Sequence, residues 1–184
     1  MKKFDIAIIG GGILGTTISY WISNLYDSSV CVIEKESNVA KHTSGRNTGV
    51  VHTPFYLNPE KKRIFAKSAH ISHDLWKTLA KNTMSPWDEI GTIEVALDEI
   101  QYKTLQKYQK WGIQNGVSEN NLSLLDSNEL KEKEKNIECH SGLLCKTDVS
   151  TDYSKLTREV QKISVQNSTE FLFQKNVKSF LVNG

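Results

Sequence analysis

The sequence predicts an α/β fold that begins with a βαβ unit on a central parallel sheet and continues into a mixed α+β segment. The first observation is the nearly continuous apolar run Asp5–Ile9, which is typical of a strand buried on both faces of such a sheet. The second is a glycine-rich turn directly after it, and the third is a second apolar run at Val30–Ile33. Between them, apolar side chains recur at helical spacing: Ile13, Leu14, Ile18, Trp21, Ile22 and Leu25. The order strand, turn, helix, strand is that of a Rossmann-like unit.

The turn carries Gly10, Gly12 and Gly15 in the spacing G-x-G-x-x-G. In a Rossmann-like unit the first glycine permits a tight turn, the second lets the backbone approach a pyrophosphate, and the third lets the helix pack closely on the sheet. Free N–H groups at the helix N-terminus favour a phosphate there. Glu34 ends the second strand nineteen residues after Gly15, where it can accept hydrogen bonds from both hydroxyls of an adenosine ribose. We therefore predict an adenine dinucleotide other than NADP, and the alternative is a glycine-rich turn in some other βαβ unit.

Composition excludes several classes of function. The chain of 184 residues has 23 Lys and Arg against 21 Asp and Glu, which gives no reason to expect nucleic acid or an acidic membrane as a partner. The three cysteines, Cys31, Cys139 and Cys145, lack metal-ligand spacing, so we predict no metal site and no disulfide framework. No apolar run approaches the roughly 18–20 residues that span a bilayer, and the first strand is not a signal peptide. We expect a cytoplasmic protein that is at most peripheral to a membrane.

The segment Ser37–Tyr56 is rich in Ser, Thr, Asn and Gly, and its composition predicts a loop. A loop of about 20 residues inside a compact domain is usually functional. Hydrogen-bond donors suited to a diphosphate occur at four of its positions: Thr43, Ser44, Arg46 and Asn47. From composition alone, a solvated surface loop is an equally good interpretation.

Together these motifs resemble those of the FAD-dependent oxidoreductases of the D-amino acid oxidase superfamily. The specific features are the glycine turn, the acid that ends the second strand, and the run TSGRNTGVVH at Thr43–His52. Within the superfamily the chain is most similar to the L-2-hydroxyglutarate oxidase/dehydrogenase branch, with FAD-dependent glycerol-3-phosphate dehydrogenases more distant. Softer matches carry that branch assignment: Gly91–Ala96, Leu124–Leu130 and Val149–Tyr153. The resemblance runs along essentially the whole chain.

The resemblance implies roles by position. Residues of the first turn would hold the FAD diphosphate: Gly10, Gly12, Ile13, Leu14 and Gly15. Glu34 and Lys35 would bind at the adenosine ribose, and the backbone of Val177 would contact the adenine. The loop donors Thr43, Ser44, Arg46 and Asn47 would lie along the diphosphate and ribityl chain. His52 would lie near the reactive face of the flavin, with Tyr56 as a weaker catalytic candidate and a structural histidine as the alternative interpretation.

The rest of the chain is predicted to alternate helices and strands. Capping side chains predict four helix starts: Asn58 before Pro59, Asp98 with Gln101, Asp126 with Glu129, and Asp152. The first of these helices is expected to pack through one apolar face: Ile64, Ile71, Leu75 and Leu79. A half-buried strand is expected at Gly91–Leu97, with Ile93, Val95 and Leu97 on its buried face. Cys139–Ser150 is predicted to be irregular or β-like, and Phe171, Phe173 and Val177–Val182 indicate two final strands.

These elements suggest a division into an FAD-binding segment at residues 1–90, part of a substrate-binding domain at 91–150, and a return to the FAD-binding domain at 151–184. By the resemblance, members of the family are roughly twice as long, so the chain is expected to correspond to their N-terminal half. A truncated product, or a subunit that needs a C-terminal-half partner chain, would fit this length.

The resemblance implies oxidation of the CH–OH group of a 2-hydroxy acid, similar to L-2-hydroxyglutarate, to a 2-oxo acid. His52 is the candidate for the base, because the ordinary pKa of histidine lies near neutrality. Arg46 could bind the substrate carboxylate, although its position favours FAD. The alternatives are an FAD-dependent glycerol-3-phosphate dehydrogenase, an amino-acid oxidase, or an inactive truncated FAD-binding module.

Overall fold

The computed structural model describes residues 2–182, which form two compact units. The terminal unit combines the N-terminal stretch up to Gly49 with the stretch from Asp152 onward, and the central unit comprises Val50–Thr151. The helices and strands follow in chain order: β1 Ile6–Ile9, α1 Ile13–Leu25, β2 Val30–Ile33, β3 Val50–Val51, α2 Arg63–Thr83, β4 Trp87–Asp88, β5 Thr92–Ala96, α3 Glu99–Gln114, β6 Leu122–Asp126, α4 Ser127–Lys133, β7 Ser141–Cys145, β8 Val149–Thr151, α5 Tyr153–Gln166 and β9 Glu170–Leu172.

The terminal unit contains a parallel sheet in the order β1-β2-β9. Residues Ile6 to Ile9 pair with Val30 to Ile33, so the predicted strand–helix–strand unit is confirmed. Helices α1 and α5 pack against each other through small polar side chains, and the Ser19 hydroxyl lies 3.3 Å from that of Ser164. Small side chains at this contact let the two helix backbones approach closely.

Strand β1 is buried on one face only, which differs from the predicted burial on both faces. Ile6 and Ile8 are half-buried, whereas Ala7 and Ile9 are exposed, Ile9 at 63%. The reason is that α1 lies on the Ile8 side, where a Cβ added at Gly15 would be 3.3 Å from Ile8 Cγ2. In contrast, Val30, Cys31 and Val32 of β2 are all buried.

Only one of the two predicted C-terminal strands forms in the described part of the chain. After β9 the backbone turns at Gln174, which has a positive φ of 57°. The N–H groups of Gln174 and Lys175 then donate to the carbonyl oxygens of Glu36 and Glu34, both at 3.0 Å. These bonds draw the chain across the end of β2, and residues 177–182 are not a strand.

The central unit contains two antiparallel sheets, ordered β3-β8-β4 and β5-β7-β6. Helix α3 packs on the second sheet around a buried cluster: Phe55, Ala96, Leu105, Val117, Leu122, Leu143 and Cys145. The predicted N-caps at Asp98 and Asp126 are confirmed, and Asp126 with Glu129 forms a full capping box. In the terminal unit, Asp152 caps α5 as predicted.

Two predicted apolar faces point outward instead of inward. On α2, Ile64 is 81% exposed and Ile71 and Leu75 are exposed, whereas the small residues Ala66 and Ala80 are buried. At the end of β5, Val95 and the following Leu97 are exposed and Ala96 is fully buried, while Ile93 is half-buried. Helix α2 also begins later than predicted, because the Asn58 side chain closes a preceding turn by accepting from the N–H groups of Glu60 and Lys61.

The compact units meet at Gly49–Val50 and at Thr151–Asp152. Residues 50–90 belong to the central unit because β3 and β4 both pair with β8. The register places Val51 opposite Val149 and Trp87 opposite Thr151. The assignment of FAD-binding and substrate-binding domains to parts of the chain stays a prediction.

Candidate functional site

The glycine turn of the terminal unit has the geometry that its motif requires. Gly10 adopts a positive φ of 106°, which permits the tight exit from β1. A Cβ added at Gly15 would lie 2.0 Å from the Gly10 carbonyl oxygen, so any larger residue would push α1 off the strand. Gly12 is the N-cap of α1, and its extended backbone exposes the start of the helix.

The N-terminus of α1 is suited to bind an anion. The Ile13 N–H donates to the Ser44 hydroxyl at 2.9 Å, and the first bond to the turn backbone is made by Thr16 to the Gly12 carbonyl. Within residues 2–182, the N–H groups of Leu14 and Gly15 have no acceptor, and the first turn carries no acidic side chain. These orphan donors and the helix dipole together favour a phosphate at this position.

Glu34 lies where the prediction needs it, at the tip of β2 and against the glycine turn. Its side chain is buried; one carboxylate oxygen accepts from the Gly11 N–H at 2.5 Å and the other from the Glu36 N–H at 2.8 Å. An ionised carboxylate has about four acceptor positions. Two therefore remain for the hydroxyls of a ribose, and the site fits an adenosine.

The loop after β2 docks on the same turn, but its predicted donors differ in availability. The Ala40 N–H donates to the Gly11 carbonyl at 3.0 Å, and Thr43–Gly45 forms a short 3-10 turn. The Asn47 amide donates to the carbonyl oxygens of Thr43 and Ser44, so it fixes the turn instead of pointing to a ligand. Of the four predicted donors, Ser44 is the one in contact with the α1 N-terminus.

Three further predicted cofactor residues are peripheral to this contact. The Thr43 and Arg46 side chains are exposed on the 3-10 turn. Lys35 is exposed as well, 3.9 Å from Glu36, whose carboxylate pairs with His42 at 2.7 Å. This pairing holds the pKa of Glu36 below its ordinary value. Any role of these exposed side chains toward a cofactor stays a prediction.

Val177 lines a cleft of about 680 Å³ beside the sheet of the terminal unit. Apolar side chains of the two strands form its floor: Ala7, Ile9 and Ile33. The backbone reaches this cleft through the bond between the Lys175 N–H and the Glu34 carbonyl oxygen. Val177, the predicted adenine contact, thus lies two residues after Lys175, which is hydrogen-bonded to Glu34.

The predicted catalytic residue His52 lies in the central unit and is paired with a carboxylate. Its Nδ1 atom is 2.6 Å from Oδ2 of Asp148, a residue that is fully buried. The Asp148 carboxylate also accepts from the Thr53 N–H at 2.7 Å and from the hydroxyls of Thr53 and Thr92 at 2.9 and 2.7 Å. The Tyr56 ring packs edge-on to His52, with 5.6 Å between ring centroids.

The electrostatics of this group follow from its burial and hydrogen bonds. The hydrogen bond that His52 donates to Asp148 raises the pKa of His52 above its ordinary value, against the opposite effect of burial. Burial alone would raise the pKa of Asp148, but hydrogen bonds from His52, Thr53 and Thr92 outweigh it and lower that pKa. Burial also raises the pKa of Tyr56, which remains protonated near neutral pH.

Asp148 was not predicted from the sequence. It is 96 residues from His52, and the two meet because β3 pairs with β8. The local sequence around it, KTDVS, contains no motif that distinguishes a buried carboxylate from an exposed turn residue. A useful signal would have been a strand pairing between the two segments.

The cysteines and the other potential metal ligands do not form a cluster in residues 2–182. Among residues 2–182, no group of three or more His, Cys, Asp or Glu side chains is arranged to hold a metal ion. Cys31 and Cys145 are buried free thiols, and Cys139 is partly buried. In that same range, every helix is too short or too polar to cross a bilayer.

Comparisons with known proteins identify the family of the chain. The chain matches the family described as FAD dependent oxidoreductase over residues 5–184. It is 34% identical over 136 residues to a glycerol 3-phosphate dehydrogenase of Caloramator mitchellensis, covering 73% of this chain and 27% of that protein. It is 30% identical over 164 residues to the mitochondrial L-2-hydroxyglutarate dehydrogenase of Pongo abelii, covering 84% of this chain and 38% of that protein.

A solved structure of an FAD-containing oxidase has a similar fold. The L-alpha-glycerophosphate oxidase of Mycoplasma pneumoniae with FAD bound superposes with a TM-score of 0.84 at 26% identity, covering 97% of this chain and 46% of that chain. The chain thus spans less than half the length of each of these relatives. The predicted resemblance is confirmed at the level of the family. The chain belongs to the DAO family of FAD-dependent oxidoreductases.

Proposed function

We propose that the terminal unit binds FAD through its glycine turn and Glu34. The observation that carries this proposal is the convergence of three features on one turn: the open N–H groups of Leu14 and Gly15, the Glu34 carboxylate, and the close packing at Gly15. The first would hold the diphosphate and the second the adenosine ribose. Bound FAD would supply the hydride acceptor for the oxidation of a substrate carbon.

We propose a substrate with a CH–OH group, with a 2-hydroxy acid similar to L-2-hydroxyglutarate as the first candidate. Relatives of both kinds support this chemistry, since one is named L-2-hydroxyglutarate dehydrogenase and another glycerol 3-phosphate dehydrogenase. Glycerol 3-phosphate is therefore the second candidate, favoured by the higher identity of its relative and by the glycerophosphate oxidase structure. An amino-acid substrate rests on fold similarity alone, because the glycine oxidase structures are 17% and 20% identical.

In this proposal His52 accepts the hydroxyl proton of the substrate. Its Nδ1 is engaged by Asp148, and Nε2 has no hydrogen-bond partner within residues 2–182. The histidine side chain is 40% exposed, so Nε2 is accessible to a ligand. Tyr56, which packs against the ring, would restrict its orientation.

The proposed activity depends on a second component. Because each relative is matched over less than half its length, we propose that full activity needs the counterpart of the unmatched part, for example on a partner chain. That counterpart would hold residues that bind the substrate carboxylate or phosphate.

A cytoplasmic location remains a prediction from the three free cysteines.

Anaerobic flavin reduction tests the proposal. The chain is purified, saturated with FAD and mixed with L-2-hydroxyglutarate, glycerol 3-phosphate or an amino acid, alone and with a chain corresponding to the unmatched part of the relatives. Loss of the oxidised flavin absorption band with L-2-hydroxyglutarate, but not with its D-enantiomer, supports the first candidate. Reduction by glycerol 3-phosphate alone selects the second candidate.

The negative outcomes are equally specific. A chain that binds FAD but is not reduced by any CH–OH substrate, even with the complementing chain, contradicts the proposed reaction. A folded chain that does not bind FAD at all contradicts the proposal as a whole and favours an inactive module. A His52→Gln variant serves as the internal control, since it should bind FAD normally and be reduced slowly.

A further inference from the structure

We propose that Asp148 is a positioning residue that fixes the tautomer of His52, holding hydrogen on Nδ1 and leaving Nε2 as the proton acceptor. The inference deepens the proposed function and, for its catalytic consequence, rests on it. The statement about the tautomer concerns the protein without cofactor and is tested separately.

The surroundings of Asp148 favour its ionised form. Its carboxylate is fully buried yet receives hydrogen bonds from the Thr53 N–H, the Thr53 hydroxyl and the Thr92 hydroxyl, in addition to His52. A buried carboxylate with several donors is stabilised in its charged form. The lowered pKa of Asp148 agrees with this. Asp148 is therefore a carboxylate at neutral pH.

The charge on Asp148 determines which nitrogen of His52 carries hydrogen. An ionised carboxylate can only accept, so the nitrogen that lies 2.6 Å from Oδ2 must donate. A neutral His52 then carries its hydrogen on Nδ1, and its Nε2 lone pair is free. Without the carboxylate, the two tautomers of the ring would interconvert, and only part of the population could accept a proton at Nε2.

The backbone of Asp148 is hydrogen-bonded to a neighbouring strand. The Gly91 N–H donates to the Asp148 carbonyl oxygen at 3.0 Å, which ties the residue to the start of β5. Gly91 has a φ of 72°, and a Cβ there would lie 2.9 Å from the Cys145 carbonyl oxygen, so this approach requires glycine. The Asp148 backbone is thus held by a contact that does not depend on His52, and its carboxylate is held by the donors of Thr53 and Thr92.

Three other titratable groups face the pair: Glu94, Cys145 and Tyr56. Glu94 on β5 adds a weaker negative potential that also raises the pKa of His52. The Cys145 thiol lies 3.4 Å from Oδ1 of Asp148, and burial raises its pKa, so it stays neutral. Tyr56 is a neutral phenol near pH 7. Of these four groups, Asp148 is the one that hydrogen-bonds to the ring, and it sets the tautomer.

The catalytic consequence concerns the protonated ring. When the substrate O–H bond breaks, the proton adds to Nε2 and His52 becomes an imidazolium. Its positive charge then lies against the Asp148 carboxylate in a buried environment, where the pairing is stronger than in water. Asp148 therefore acts through His52 and does not touch the substrate.

Nitrogen-15 NMR of the histidine rings in the flavin-free chain tests the tautomer directly. The sequence has five histidines, and comparison with His52→Gln assigns the His52 signals. We expect Nδ1 of His52 to be protonated and Nε2 unprotonated at high pH. In Asp148→Asn we expect the Nδ1–H fraction to fall and the pKa of His52 to drop by about one unit. If neither quantity changes, the inference is overturned.

Two further variants keep the test decisive if Asp148→Asn does not fold. Thr92→Val removes one donor from Oδ2 and leaves the charge, so the carboxylate should attract the imidazolium more strongly and the pKa of His52 should rise. An unchanged pKa in Thr92→Val contradicts the inference. Asp98→Asn, which removes a carboxylate at the N-cap of α3 away from the pair, is the matched control and should leave His52 unaffected.

Flavin reduction separates the two proposals. If the wild-type chain, with its complement, is not reduced by any substrate, the proposed function fails while the NMR result stands. If it is reduced, Asp148→Asn should slow reduction at unchanged FAD affinity, and the pH of half-maximal rate should move down with the pKa of His52. An equal loss of rate at every pH, with the His52 pKa unchanged, would make Asp148 merely structural.

Discussion

Replacing Glu34 by glutamine is predicted to weaken FAD binding about 10- to 100-fold. Glutamine keeps one oxygen that can accept from the Gly11 N–H, but its NH₂ group cannot accept from the Glu36 N–H or from a ribose hydroxyl. A hydrogen bond to a charged group contributes about 1.5–3 kcal/mol. Since about 1.4 kcal/mol corresponds to tenfold in affinity, losing one ribose bond gives the stated range.

The assay is equilibrium titration of the purified chain with FAD, followed by flavin fluorescence. Glu36→Gln is the matched control, because it removes a carboxylate two residues away that is exposed and paired with His42. We expect the control to bind FAD as the wild type does. Thermal unfolding of both variants checks that each is folded. Equal affinity of Glu34→Gln and wild type, or equal weakening by both variants, would refute the role given to Glu34.

The remaining predictions concern stability. Gly15→Ala should lower the free energy of unfolding in urea by about 2–3 kcal/mol, because the new Cβ would lie 2.0 Å from the Gly10 carbonyl oxygen; an increase, as is usual for glycine to alanine in a helix, would contradict the packing. The raised pKa of His52 stabilises the fold below about pH 6.5, and this stabilisation is lost as the pH rises through the raised pKa. The lowered pKa of Asp148 stabilises the fold above about pH 3.9, and this stabilisation is lost as the pH falls through the lowered pKa. The Tm difference between wild type and His52→Gln should therefore be largest between about pH 4 and 6.5, and a difference independent of pH would contradict the pairing. Asp126→Ala should cost about 1 kcal/mol by loss of the α4 capping box, and an unchanged urea midpoint would show that the cap is not formed in solution.

The features that sequence analysis predicted correctly are those with local signals. The first strand, turn and helix follow from short-range periodicity and from glycines whose spacing the backbone itself demands. The position of Glu34 at the end of β2 follows because its distance from Gly15 is fixed by one helix and one strand, while its role toward a cofactor stays a prediction. The caps at Asp98, Asp126 and Asp152 depend on residues three positions apart, and all three form.

The features that were missed depend on what packs against each element. The apolar stripe of α2 has helical spacing, yet periodicity cannot say whether Ile64 or Ala66 faces the core. The same ambiguity affects the end of β5, where Ala96 is buried and Val95 is exposed. The pairing of His52 with Asp148 requires β3 to lie beside β8, and no local pattern encodes a contact across 96 residues.

Backbone amide NMR during an FAD titration shows whether the glycine turn binds the dinucleotide. We expect the N–H signals of Gly11, Gly12 and Leu14 to shift progressively and saturate together, because these groups line the proposed diphosphate and ribose site. NADP should produce a much smaller effect, since Glu34 would repel its 2′-phosphate. If FAD binds while these amides stay unchanged, or if no amide responds to FAD, the glycine turn is not the dinucleotide site.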